Sequence, residues 1–128
     1  MLRITPYTNS FQQAVIDVIL NIQQKEFGIP VTEKDQPDLA TIPELYQVNN
    51  GNFWLAVEEN QLIGTIALID IGNKQVALRK MFVHADYRGK EKGTGQLLLD
   101  TVFSWCNERK IRDIYLGTVS VLKAAHRF

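Results

Sequence analysis

Asp86-Tyr87-Arg88-Gly89-Lys90-Glu91-Lys92-Gly93-Thr94-Gly95-Gln96 is the stretch whose reading decides the fold. Before it lies Gln75–Val83, an apolar run with strand character. After it, Leu98, Leu99, Val102, Trp105 and Cys106 recur at helical spacing until Lys110, and Asp113–Thr118 reads as a buried strand. Strand, glycine loop, helix and strand make a βαβ unit, whose two strands run roughly parallel through a right-handed crossover. Three glycines fall within seven residues, Gly89 to Gly95. Glycine reaches positive φ and lets a ligand approach the main chain, and the first amides of the following helix have no partner inside it. With the helix dipole and the cations Arg88, Lys90 and Lys92, the turn has what a phosphate or pyrophosphate site requires. A turn whose glycines only reverse the chain, with its charges in solvent, has the same spelling. Two phosphate motifs fail. No Gly-x-x-x-x-Gly-Lys-Ser/Thr run begins at Gly89 or Gly93, and Leu98 stands where the third glycine of a dinucleotide fingerprint belongs.

Working outward, Phe53–Glu58, Leu62–Ile69 and Gln75–Val83 have strand periodicity, with Glu59-Asn60 and Gly72-Asn73 as turns between them. They predict an antiparallel meander, so the sheet is mixed. Leu2, Ile4 and Pro6 give a short opening strand, and Thr8-Asn9-Ser10 offers helix caps before Phe11, Val15, Val18, Ile19 and Ile22. That helix runs to about Glu26, where Gly28 and Pro30 stop it. Between Pro30 and Pro43 the chain is polar and carries Glu33, Asp35 and Asp38. A loop with a short helix near Ile42–Gln47 is expected there, either as a substrate lid or as a plain connection. Val121–Phe128 reads as the start of a last helix.

The whole chain, 128 residues, 45% apolar and 22% charged, suits one domain, 1–128. Fourteen basic residues balance fourteen acidic ones, so no global field favours nucleic acid or an anionic membrane. A single cysteine, Cys106, excludes an intrachain disulfide framework and suits a reducing, cytoplasmic setting. The start, MLRITPYTNS, lacks the charge and apolar run of a secretion signal, and no stretch is long and apolar enough to span a membrane. His84 and His126 have no cysteine or acidic cluster at ligand spacing, so no metal is expected.

Leu78-Arg79-Lys80-Met81-Phe82-Val83, then Tyr87-Arg88-Gly89 and a basic-x-x-Gly-x-Gly turn opening a helix, resemble motif A of the GCN5-related N-acetyltransferases, the GNAT family. The resemblance implies a GNAT-like acyl-CoA N-acyltransferase fold: a central, mixed and mostly antiparallel sheet flanked by helices. It implies acetyl-CoA as cosubstrate and a small-molecule or peptide amine as acceptor, by direct transfer in a ternary complex. It places Met81, Phe82 and Val83 along the pantetheine arm and Arg88, Gly89, Lys90, Lys92, Gly93, Thr94, Gly95 and Gln96 at the pyrophosphate. The commonest family turn is two residues shorter after its arginine, so Lys90 rather than Arg88 takes the first motif position. Leu116-Gly117-Thr118 and Ala124–Phe128 resemble motif B, with Leu122 where an asparagine is common.

Family members usually continue past the equivalent of Phe128 with a tyrosine acid and two strands. The chain therefore reads as truncated at its C-terminus, which leaves the Asp113–Thr118 edge open to a second copy and makes a homodimer plausible. A non-catalytic acyl-CoA-binding module, or an inactive truncated acetyltransferase, is the alternative. No catalytic residue is assigned. Candidate bases are Glu58, Glu59, Asp70 and the carboxylates of Glu33–Asp38, and each is equally an ordinary surface group. Arg79 and Lys80 are expected to divide between the site and solvent or to form a structural ion pair. Cys106 reads as a core thiol.

Overall fold

A computed structural model describes residues 1–89 and 92–116, and the backbone of 120–123. Strands β1 (Leu2–Pro6), β2 (Asn52–Glu58), β3 (Gln61–Gly72), β4 (Gln75–Val83), β5 (Asp113–Leu116) and β6 (Ser120–Lys123) lie in sequence order in one sheet. Only β4 and β5 pair in parallel, as the βαβ reading requires. Both hairpins of the meander turn on two residues with positive φ: Glu59 and Asn60 at 51° and 65°, Asn73 and Lys74 at 57° and 60°. Paired left-handed residues match the twist of the strands they join, which sets the register of β2, β3 and β4.

Helix α1 (Gln12–Asn21) continues into a wider π-type turn, Ile22–Glu26, and α2 (Ile42–Leu45) is short. Both cover one face of the sheet. There Tyr7, Val15, Ile19, Leu39, Ile42 and Tyr46 bury Phe53, Leu55 and Val57. The fully buried Phe53 ring meets Tyr7 and Tyr46 edge-on at 5.6 and 5.4 Å. Helix α3 (Thr94–Glu108) covers the other face, where Leu98, Val102, Phe103 and Cys106 pack on Trp54, Ile66, Leu68, Val76 and Ile114. Thr8 does not cap α1 as expected. A 3-10 turn, Asn9–Phe11, precedes the helix, and Thr8 bonds Ser10 through their hydroxyls at 3.0 Å instead.

Two expectations change at the C-terminal end. Ser120–Lys123 is a strand antiparallel to β5, not the start of a helix, and 124–128 lie outside the described residues. β5 therefore has neighbours on both sides, and the open edge that motivated a homodimer is covered.

Burial pushes the Cys106 thiol up from its ordinary 9.0 to about 12. The folded chain thus favours the neutral thiol, a stabilisation complete below pH 9 and lost as pH rises toward 12. Iodoacetamide at pH 8 is expected to leave Cys106 unmodified in the folded chain and to alkylate it in denaturant. Equal rates in the two states would show that the thiol is not buried.

Candidate functional site

The strand before the glycine turn is broken by a bulge. Thr65 pairs with Phe82 while Ala67 pairs with Arg79, so Lys80 and Met81 together oppose Ile66. Lys80 takes φ 53°, a costly conformation for a non-glycine residue, and is held there from both ends. Its carbonyl accepts from the buried Thr65 hydroxyl at 2.7 Å. Its ammonium donates to Gln36 Oε1 at 2.6 Å and lies 3.4 Å from Asp38 Oδ2. Tyr46 donates to the same Asp38 oxygen at 2.7 Å, and Gln23 and Gln36 bond each other through their amides. Burial, first, and the Asp38 bond raise the Tyr46 phenol well above its ordinary range, so it remains a donor. Lys80 thus forms the structural ion pair, and it fastens the loop between α1 and α2 to the bulge; Arg79 is exposed. An open cleft of about 730 Å³, lined in part by Thr32, Glu33, Gln36 and Pro37, lies on that loop.

The described pairing of β4 with β5 runs from Gln75 and Asp113 to Leu78 and Leu116, and 117–119 lie outside the described residues. The last three residues of β4 are Met81, Phe82 and Val83. Val83 packs toward α3 and Phe82 toward α1, while Met81 is exposed, with its Cε 3.7 Å from where a Cβ on Gly95 would sit. A 3-10 turn, Ala85–Tyr87, then leads to the glycine loop.

Gly89 and Gly93 both need glycine's freedom, with φ 99° and 71°. The Gly89 carbonyl accepts from the amides of Lys92 and Gly93 at 3.2 and 3.1 Å, which closes the turn under the start of α3. Gly93 caps the helix and accepts from Leu97 at 3.0 Å. The amides of Thr94, Gly95 and Gln96 come before any intrahelical acceptor is available, at the positive end of a 15-residue helix. Gly89, Gly93, Gly95 and Gln96 line an open cleft of about 450 Å³ at that end. The Thr94 hydroxyl is the only buried side-chain polar atom without a partner among the described residues. An anion at the helix start would meet the first amides of α3, and the described residues that line the cleft carry no acidic side chain.

The other expected residues are placed as follows. Lys92 is exposed at the turn, and the Gln96 amide reaches along the helix to Asp100 at 2.9 Å, leaving its backbone N–H at the cleft. Arg88 turns the other way. Its Nε donates to the Val83 carbonyl at 2.7 Å and its guanidinium pairs with Glu26 at 2.5 Å. Lys90 lies outside the described residues. Of the candidate bases, Glu58 and Glu59 hold the N-terminal ammonium at 2.7 and 2.9 Å, and Asp70 accepts from the amides of Asn50 and Gly72. Asp35 accepts from the Thr32 amide. Among the described residues no group of three or more His, Cys, Asp or Glu gathers as a metal site would. No described helix is long and apolar enough to cross a membrane.

Glu26, Gln36 and Thr65 were not singled out by the sequence. Nothing in their spacing marks them, since each acts through a partner distant in the chain.

Residues 16–128 match the family model described as Acetyltransferase (GNAT) family. N-acetylaspartate synthetase of Xenopus tropicalis is 35% identical over 94 residues, which are 70% of this chain and 33% of that protein. A crystal structure of a GNAT-family acetyltransferase from Staphylococcus aureus superposes with a TM-score of 0.87 at 42% identity, covering 93% of this chain and 75% of that one. A Clostridium acetobutylicum structure described as a predicted acetyltransferase with acetyl-CoA shares the fold, with a TM-score of 0.71 at 21% identity over 92% of this chain and 81% of that one. The chain spans 33% to 41% of the length of the curated relatives it matches.

Proposed function

The chain belongs to the GNAT acetyltransferase family, and from that premise we propose that it transfers the acetyl group of acetyl-CoA to a primary amine, within a single domain spanning 1–128. The observation that carries this reading is the junction of the bulged end of β4 with a helix start that lies at an open cleft, where the Thr94 hydroxyl has no partner among the described residues. A cofactor with a pyrophosphate at one end and an extended, amide-bearing arm at the other fits both halves. The pyrophosphate would accept from the amides of Thr94, Gly95 and Gln96 and from the Thr94 hydroxyl, with Gly89 and Gly93 leaving room for it and Lys92 adding charge. The arm would run beside Met81, Phe82 and Val83, whose backbone offers strand-like hydrogen bonds and an N–H for the thioester oxygen.

In the reaction the neutral amine attacks the thioester carbon, the C–N bond forms and the C–S bond breaks. The amine proton leaves to solvent or a base, and the thiolate takes up a proton. Asp70 already accepts from the Asn50 and Gly72 amides, which disfavours it as the base. The loop tied down by Lys80 borders this face of β4 and suits the acceptor, a small-molecule or peptide amine.

Parallel calorimetric titrations with coenzyme A, acetyl-CoA and ATP test the proposal. Saturable coenzyme A binding without ATP binding, followed by thiol release with an amine panel, is the expected result. Binding without turnover would favour a non-catalytic acyl-CoA-binding module, and no coenzyme A binding would reject the reading.

Thr94→Val gives a sharper check. It removes a buried hydroxyl that has no partner among the described residues, so thermal stability should hold or rise by up to about 1 kcal/mol. Coenzyme A affinity should fall about tenfold through the lost charge-assisted bond. A variant that loses stability and keeps affinity would take the hydroxyl out of the site.

A further inference from the structure

Arg88 stands at the start of the glycine turn, where a cation would be expected to face the pyrophosphate. Its side chain is engaged elsewhere by two directed contacts. Nε donates to the carbonyl of Val83, the last residue of β4, at 2.7 Å, and the guanidinium pairs with Glu26 Oε1 at 2.5 Å. Glu26 is the last residue of the π-type turn that ends α1, and its carboxylate is only 25% exposed. Phe27, the first residue of the long loop to α2, follows at once. The Arg88 backbone continues into Gly89, whose carbonyl closes the turn on Lys92 and Gly93. One planar guanidinium therefore joins the end of the strand, the glycine turn and the root of the loop. A lysine would bring one point charge in place of the two separate guanidinium nitrogens, Nε and Nη2, that make these contacts.

We propose that Arg88 is a positioning residue, not a pyrophosphate ligand, and that the Arg88–Glu26 pair couples the loop between α1 and α2 to the cofactor site. This rests on the acetyl-CoA reading above. Val83 and Gly89 are fixed relative to each other through Arg88, and through Glu26 their arrangement depends on how α1 ends. Cofactor affinity becomes sensitive to Glu26, a carboxylate that would itself repel a polyanion.

That last point gives the proposal a sign. If Glu26 merely held Arg88 away from the pyrophosphate, its removal would free a cation, delete a negative charge and tighten coenzyme A binding. If the pair positions the turn, removal loosens the turn and weakens binding. The experiment is calorimetric titration of coenzyme A into the wild type, Glu26→Ala, Glu26→Gln, Arg88→Ala, Arg88→Lys and the Glu26→Ala/Arg88→Ala double variant. The expected result is about tenfold weaker binding for Glu26→Ala and for each Arg88 variant. The double variant should be no weaker than Arg88→Ala, and Glu26→Gln, which keeps an acceptor oxygen, should be partly rescued. Amide exchange over Phe27–Gln36 should quicken in Arg88→Ala although that loop is remote in sequence.

Tighter binding in Glu26→Ala, or additive losses in the double variant, would overturn the coupling while leaving the acetyl-CoA reading intact. Wild-type chain that binds no coenzyme A would overturn both. Should an alanine variant fold poorly, Glu26→Gln and Arg88→Lys still decide the sign.

Discussion

Gly93→Asp is expected to weaken coenzyme A binding by more than about 100-fold, the largest functional effect of any single substitution proposed here. Gly93 sits at φ 71° as the cap of α3, with nothing among the described residues within 4 Å of where a Cβ would be. Space is therefore not the obstacle. Aspartate tolerates the left-handed region better than most residues, so the backbone strain is about 1 kcal/mol and the chain should still fold. What changes is the charge. A carboxylate next to the free amides of Thr94, Gly95 and Gln96 both occupies the donors and repels a pyrophosphate. Gly93→Asn separates the causes, because it carries the same strain without the charge and should lose only a few-fold in affinity. Both variants are compared with wild type by calorimetry at low salt, with melting temperatures as the control for folding. Equal affinity in Gly93→Asp and wild type would remove this helix start from the cofactor site.

Gly51→Ala is expected to cost about 3 kcal/mol or more, a fall in melting temperature of about 10 °C. A Cβ at Gly51 would lie 2.5 Å from the Tyr46 carbonyl oxygen and 2.6 Å from that of Leu68. Both are backbone atoms, which cannot turn aside as the end of a long side chain can. The adjoining Asn50 fixes the same corner. Its amide donates to Asp70 at 3.0 Å, and its carbonyl accepts the Trp105 indole N–H at 2.8 Å. Relief of the clash must therefore move the start of β2, the end of β3 or the contact with α3. Thermal unfolding of Gly51→Ala beside Gly28→Ala checks this. Gly28 has φ 64° but open space around it, so its variant reports the cost of strain alone. Similar losses in the two would mean that the crowding at Gly51 is relieved at little cost.

The two carbonyls that crowd Gly51 belong to Tyr46, which follows α2, and to Leu68 in β3, and only the pairing of β2 with β3 brings the second of them close. Asp70 shows the same limit. As a carboxylate near a strand end it qualified as a base, and only the fold reveals that the Asn50 and Gly72 amides hold it. The C-terminal expectation failed differently. Val121–Phe128 has too few residues for helical periodicity to outweigh the pairing that Ser120–Lys123 finds along β5.

The sequence by itself determined the βαβ unit, the meander, the two covering helices and the glycine turn that opens α3. Each depends on residues close in the chain: the period of apolar side chains, the left-handed pairs at hairpins, and glycines before an amphipathic helix. Only the tertiary structure decided where Arg88 points, that Lys80 lies in a bulge and latches the loop through Gln36 and Asp38, and that the Thr94 hydroxyl is buried without a partner among the described residues. Those outcomes depend on which distant group lies within about 3 Å of a polar atom, the reach of a hydrogen bond. No local pattern encodes that distance, because it is set by how both faces of the sheet are packed.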